Sequence, residues 1–93
     1  MRLSQKQRRV IRDCVEAVDP AATVMLFGSR LQDRLKGGDI DLLVRSRKIG
    51  FMGRLRLKLA LKSALGDQKI DIAVDRGRSS AFVKLIRKEA QPI

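Results

Sequence analysis

The sequence predicts a small α/β (α+β) domain in which a mixed β-sheet is flanked by helices. Three observations support this fold class. Apolar residues recur at helical spacing near the N-terminus, three short β-rich apolar runs follow, and a segment of strong helix formers separates the second run from the third. A length of 93 residues suits one domain. We therefore expect a single domain over residues 1–93, with the order helix, strand, short helical turn, strand, helix, strand, helix.

The first helix and the first strand are both marked by local signals. Ser4 and Gln7 form the pattern of a capping box, and apolar residues then follow at helical spacing: Val10, Ile11, Cys14, Val15 and Val18. The Asp19-Pro20 pair ends this helix, because a residue before proline avoids the helical region. The run 23–27 is short, β-rich and apolar, which is typical of a buried strand. These signals predict a helix over 4–18 and a strand over 23–27.

The later elements are predicted from composition and length. Residues 40–44 and 69–74 are apolar runs that suit strands. Residues 51–65 alternate in part, as strands do, but their length, their helix formers and the following Gly66 favour a helix. This helix carries two apolar stripes, and the sequence leaves open which one faces the sheet: Phe51, Leu55 and Leu59, or Leu57, Leu61 and Ala64. A last helix begins at Ser79 or Ser80, carries Phe82, Val83, Leu85 and Ile86, and ends before Pro92.

Composition excludes several classes of site. The chain has 21 Lys and Arg against 10 Asp and Glu, a formal net charge of +11, which favours anionic ligands such as nucleotides. It contains no histidine, so His-based catalytic triads and zinc–histidine sites are excluded. Cys14 is the single cysteine and lies on the apolar face of the first helix, where we expect a small hydrophobe. No apolar run could span a membrane, and we expect a cytoplasmic protein.

Two carboxylates on the second strand are the most informative residues. Asp39 and Asp41 are two positions apart, so their side chains project from the same face of a strand. Their apolar neighbours indicate a buried strand, where adjacent carboxylates repel each other and lose hydration. A magnesium ion would remove this conflict, because it prefers carboxylate and phosphate oxygens. From the spacing alone, a pair that simply faces water at the start of the strand is an equal alternative.

The predicted topology brings further groups to the same place. Gly28-Ser29 follows the first strand at a turn, where backbone amides and a hydroxyl can bind phosphate oxygens. Antiparallel pairing of the first two strands would place this turn beside Asp39. A helical crossover makes the second and third strands parallel, which would bring Asp71 beside Asp39 and Asp41. Three acids and a phosphate-binding turn are therefore predicted to meet at one sheet edge.

These motifs resemble a known family. The segments LFGSRLQDRLKGGDIDLLV and KIDIAV resemble the nucleotidyltransferase superfamily of DNA polymerase beta, in particular its minimal stand-alone members. The family pattern is a glycine-serine turn, an acid-x-acid strand and a third acid on a later strand. Gly28-Ser29 matches the first part, Asp39-Ile40-Asp41 the second and Asp71 the third. The resemblance covers the whole chain and implies the nucleotidyltransferase fold.

The resemblance also implies an activity. Asp39, Asp41 and Asp71 would hold two magnesium ions, and Asp71 would help to activate the attacking hydroxyl. Gly28-Ser29, with Arg30, would bind the terminal phosphates of a nucleoside triphosphate, with ATP favoured. A nucleoside monophosphate would be transferred to a hydroxyl, and pyrophosphate would be released.

Minimal members of the family are commonly paired with a small helical protein of the HEPN type. Some act as antitoxins that modify a tyrosine of that partner. We expect the stripe over residues 57–64 to suit such a contact, or equally a homo-oligomer.

Two other functions compete with an enzyme. One is a non-catalytic antitoxin that neutralises its partner by contact alone, in which case Asp39→Asn and Asp71→Asn would leave the inhibition of the partner intact. The other is an RNA-binding domain that uses the net charge of +11, whose affinity would fall steeply with salt. The chain has only three aromatic residues for base stacking, so nucleic acid is not favoured.

Overall fold

The computed structural model describes residues 3–28, 40–66, 69–77, 84 and 88–93. These ranges contain the helices α1 (Gln5–Val18) and α2 (Phe51–Leu65) and the strands β1 (Thr23–Phe27), β2 (Ile40–Arg45), β3 (Ile70–Asp75) and β4 (Gln91–Pro92). The strands form one sheet in the order β3-β2-β1-β4. β1 is antiparallel to β2 and β4, while β2 and β3 are parallel. The predicted α+β class with a mixed sheet is confirmed.

Helix α1 begins where the capping box predicts. The Gln7 amide donates to Ser4 Oγ at 3.1 Å, and the Ser4 amide donates to Gln7 Oε1 at 2.9 Å. These two bonds satisfy amide groups that would otherwise lack a partner at the helix start. Ile11 and Val15 are buried on the inner face. Cys14 packs against the same core, and its burial raises the pKa of the thiol, as expected of a small apolar residue.

Helix α2 spans the predicted residues 51–65 and ends at Gly66, whose φ of +85° suits glycine. The expectation that the stripe at 57–64 meets a partner is wrong. Leu57 and Leu61 are fully buried, because they lie on the side of α2 that is turned to α1 and the sheet. The other stripe is exposed instead, with 72% of Phe51 and 61% of Leu59 accessible to solvent.

The core lies between the two helices and one face of the sheet. Its strand residues alternate, as expected for a sheet with one covered face, and they pack against both helices. They are Val24, Leu26, Ile40, Leu42, Val44, Ile70 and Ile72. The crossover through α2 makes β2 and β3 neighbours, as the sequence predicts. Their N-terminal ends therefore lie side by side.

The C-terminal region differs from the prediction. β4 is a strand that the sequence pattern did not predict, and it pairs with Met25 and Leu26 of β1. Lys84, Lys88 and Glu89 are helical, which agrees with the predicted last helix. The rest of that helix, and the helical turn predicted after Ser29, lie outside the described residues. Within the described ranges, no helix is both long and apolar enough to cross a membrane.

Candidate active site

Two aspartates face each other at the N-terminal ends of β2 and β3. In the parallel register Asp41 is the partner of Asp71, and in the antiparallel register Phe27 is the partner of Asp41. Paired residues of neighbouring strands point to the same face of a sheet, with the strands about 4.8 Å apart. The row Phe27, Asp41, Asp71 therefore crosses three strands on one face.

This row lies on the face opposite the core. Ile40 and Leu42, which flank Asp41, are fully buried in the core between sheet and helices. Ile70 and Ile72, which flank Asp71, belong to the same core. Alternation along each strand then places the two carboxylates on the other face. Asp41 is half-buried and Asp71 is exposed, so the pair is open to a ligand from that side.

Gly28 follows β1 and is packed against the carboxylate of Asp41. It has a φ of +80°, a conformation that L-residues with a side chain rarely adopt. A Cβ atom at this position would overlap with Asp41 Oδ2 and lie 3.2 Å from Asp41 Cγ. The backbone conformation at this position favours glycine, and a side chain here would have to displace the Asp41 carboxylate.

The remaining predicted site residues lie outside the described part of the chain. These are Asp39, Ser29 and Arg30. Of the predicted set, the structure thus places Gly28, Asp41 and Asp71, and it brings these three to one corner of the sheet. The described ranges alone contain no group of three or more metal-ligating side chains, and the predicted third acid, Asp39, is not within them.

The chemistry of this corner fits a hard divalent cation. Like charges opposite each other on adjacent strands are destabilising. A cation between Asp41 and Asp71 would convert that repulsion into two attractions, and carboxylate oxygens are the ligands that magnesium prefers. The open side of Asp71 leaves room for oxygens from a substrate, which magnesium sites commonly include.

A second polar cluster lies at the opposite ends of the same strands. Asp19 is buried, accepts a hydrogen bond from the Ser46 hydroxyl at 2.5 Å, and accepts another from the Ala21 amide at 3.0 Å. The Ser46 hydroxyl oxygen accepts the amides of Lys48 and Ile49, each at 3.1 Å. The hydroxyl of Ser46, followed by the Ala21 amide, lowers the pKa of Asp19.

Asp75 belongs to this cluster and not to the candidate site. It is buried, accepts the Gly77 amide at 2.9 Å, and lies 3.7 Å from Arg45 Nε. Asp75 shares the sheet face of Asp71 but lies at the far end of β3. The structure accounts for Asp75 as a residue that holds a turn.

Comparison with known proteins gives structural matches. No protein-family model and no curated protein matches the sequence. A solved minimal nucleotidyltransferase superposes with a TM-score of 0.69 at 29% identity, covering 99% of this chain and 98% of the other. The complex of a tri-AMPylated HEPN toxin with its MNT antitoxin, from Shewanella oneidensis, gives a TM-score of 0.75 at 23% identity. That match covers 97% of this chain and 71% of the other.

These similarities confirm the resemblance that the motifs indicated. The chain has the fold of a minimal nucleotidyltransferase over nearly its whole length. The two matched proteins are a minimal nucleotidyltransferase and an antitoxin bound to a HEPN toxin.

Proposed function

We propose that this chain is a metal-dependent nucleotidyltransferase that moves a nucleoside monophosphate, with ATP as the favoured donor, onto a hydroxyl of a HEPN-type partner protein. The observation that carries this proposal is the opposition of Asp41 and Asp71 beside Gly28, on a fold shared with a minimal nucleotidyltransferase.

The proposed ligands of the cation are Asp41, Asp71 and Asp39. Asp41 is held on the central part of the sheet and Asp71 on the edge strand β3, so the two sides of the site have different access. When bound, magnesium neutralises the triphosphate and polarises the phosphoryl group that is transferred. Gly28 and Ser29 would bind the terminal phosphates through backbone amides and the hydroxyl, with Arg30 as a further contact.

The reaction needs little covalent chemistry from the protein. The acceptor hydroxyl oxygen forms a bond to the α-phosphorus, the bond from that phosphorus to the β-phosphate oxygen breaks, and pyrophosphate leaves. The exposed carboxylate of Asp71 is the group best placed to accept the hydroxyl proton. Asp41, half-buried and packed on Gly28, would keep a fixed position during the reaction. Positioning and charge neutralisation therefore account for most of the expected rate enhancement.

The structural neighbour supports the proposed partner class. The similar antitoxin is seen with a HEPN toxin that carries three AMP groups, so a protein hydroxyl is the acceptor we propose here.

Transfer of label from α-labelled ATP tests the proposal. The protein is incubated with magnesium and with a HEPN-type protein, and label on that protein is measured. We expect Asp41→Asn and Asp71→Asn each to reduce the rate by roughly 100-fold or more, because each removes a charge that faces the transferred group.

Asp13→Asn is the matched control. Asp13 is an exposed aspartate on α1, so this variant loses the same charge at a distance from the site and should transfer label at the wild-type rate. Equal labelling by wild type and both site variants would refute the enzymatic proposal. If the site variants still silence the partner without labelling it, the protein acts by contact alone.

A further inference from the structure

Helix α2 carries an apolar surface that the fold does not cover. We define the α2 stripe as Phe51, Met52, Leu55 and Leu59, which are 72%, 59%, 42% and 61% exposed. Among the described residues, these are the large apolar side chains that are exposed, and all four lie on one helix. Clustered exposure of this kind marks an interaction site more often than scattered single residues do.

The charged residues of helix α2 itself have one sign. Helix α2 contains Arg54, Arg56, Lys58 and Lys62 and has no Asp or Glu. At 100° per residue, Lys62 lies within the stripe, while Lys58 and Arg56 lie on its two sides. A partner that covers the apolar residues must therefore bring carboxylates to both borders.

The start of the α2 stripe adjoins a concave site. A cavity of about 360 Å³ lies between the beginning of α2 and β3, and Phe51, Arg54, Ile72 and Val74 are among its lining residues. Arg54 donates to the Ile72 carbonyl oxygen at 3.4 Å, and its guanidinium carbon lies 5.9 Å from the centre of the Phe51 ring. These contacts hold Arg54 at the rim, where it can meet a carboxylate.

From these observations we propose that the α2 stripe docks an acidic amphipathic helix of a partner protein, with its apolar side chains on the stripe and one of them in the adjoining cavity. The inference rests on the proposed function in so far as that function needs a protein acceptor. The α2 stripe and Asp71 lie on opposite sides of the sheet, so a protein docked on α2 would reach Asp71 around the edge strand β3.

Charge argues against a second copy of this chain on the same surface. A two-fold symmetric contact places each residue of the surface against the same surface of the other copy. The basic side chains of both α2 helices would then lie in one interface, and like-charge contacts oppose association. A membrane surface would also attract a basic apolar helix, but the open depression beside Phe51 offers additional contact to a protein side chain.

Binding of two designed peptides tests the proposal. The first is a labelled helical peptide with leucines at i, i+4 and i+7 flanked by glutamates, and the second has lysine in place of every glutamate. Fluorescence anisotropy with the full chain, without ATP or magnesium, should show binding of the acidic peptide alone. Leu55→Ser with Leu59→Ser should weaken this binding by about tenfold or more, because apolar anchors dominate such interfaces.

A charge-reversal pair provides the matched control. Arg56→Glu with Lys62→Glu should weaken binding of the acidic peptide similarly, whereas Lys6→Glu with Arg12→Glu on α1 should change it by less than about twofold. All four positions are exposed, and thermal unfolding monitored by circular dichroism will verify that each variant folds.

Several outcomes would overturn the proposal. They are failure of the acidic peptide to bind, equal binding of both peptides, or unchanged binding to the variant that lacks Leu55 and Leu59.

Sedimentation that reveals a dimer broken by Leu59→Ser would assign the stripe to a second copy. If the chain binds vesicles that contain phosphatidylserine, loses this binding in the Leu59→Ser variant and does not bind the peptide, the α2 stripe is a membrane-binding surface. Asp41→Asn with Asp71→Asn should bind the peptide normally, so a failure of the enzymatic proposal would be seen separately.

Discussion

The two ends of the parallel pair β2 and β3 use aspartate in opposite ways. At the C-terminal ends, Asp19 and Asp75 are buried and accept hydrogen bonds from a hydroxyl or from backbone amides. At the N-terminal ends, Asp41 and Asp71 face each other and remain partly or fully exposed. The first arrangement joins a helix end, a loop and a strand. The second brings two like charges together, which is the arrangement on which the proposed cation site relies.

The contact between Gly28 and Asp41 should give the largest effect. Gly28→Ala would force a side chain into the space of the Asp41 carboxylate and strain a φ of +80°. We expect a loss of about 1–3 kcal/mol in the free energy of unfolding from the backbone strain. Displacement of the carboxylate should also reduce the transfer rate by roughly 100-fold. Denaturant unfolding and the labelling assay measure the two effects.

Gly66→Ala separates the two causes. Gly66 has a similar φ of +85°, but a Cβ atom there would meet no atom within 4 Å. This variant should lose stability with little change in transfer rate per folded molecule. If Gly28→Ala behaves in the same way as Gly66→Ala, the contact with Asp41 has no role in catalysis.

The sequence predicts most of the fold because its elements carry local signals. The capping box at Ser4, the apolar run 23–27 and the helix formers before Gly66 lead to the observed elements. β4 carries no such signal, since it has two residues, one of them a proline, and is stabilised by pairing with β1. Which stripe of α2 is buried depends on packing against α1 and the sheet. The sequence of α2 does not reveal this, because it has apolar residues on both sides of the helix.

The candidate site was predictable for a different reason. Strand pairing follows from the order of elements, so the approach of Asp71 to Asp41 could be deduced from a helical crossover. The bond between Asp19 and Ser46 joins residues 27 positions apart and has no sequence pattern. The packing of Gly28 on Asp41 likewise depends on a backbone geometry that the residue pair Gly28-Ser29 alone does not specify.

The cluster at the C-terminal ends should affect stability and leave catalysis unchanged. Ser46→Ala removes the donor to Asp19 and the acceptor of the Lys48 and Ile49 amides. We expect the free energy of unfolding to fall by about 1–3 kcal/mol, the usual effect of leaving buried polar groups without partners. Urea unfolding measures this change. If the transfer rate per folded molecule also falls, the C-terminal ends of β2 and β3 do not serve stability alone, and the contrast with the N-terminal ends is wrong.

The pH dependence of stability gives the smallest effect. The Ser46 hydroxyl lowers the pKa of Asp19 in the folded state, so the unfolded chain binds more protons in the acidic range. The stabilisation from Asp19 is therefore complete above the unfolded pKa and is lost as pH falls below about 4. Ser46→Ala should show a shallower loss of stability between neutral pH and pH 3 than wild type. Parallel curves for the two proteins would contradict this assignment.

Paramagnetic broadening of backbone amide signals by manganese tests the central claim most directly. Mn²⁺ replaces Mg²⁺ at oxygen sites and broadens the NMR signals of nearby amides. We expect the amides of Gly28, Asp41 and Asp71 to broaden first, and Asp71→Asn to abolish this preference. Broadening that begins at Asp19 and Asp75, or that is uniform over the surface, would contradict a cation site between the N-terminal ends of β2 and β3.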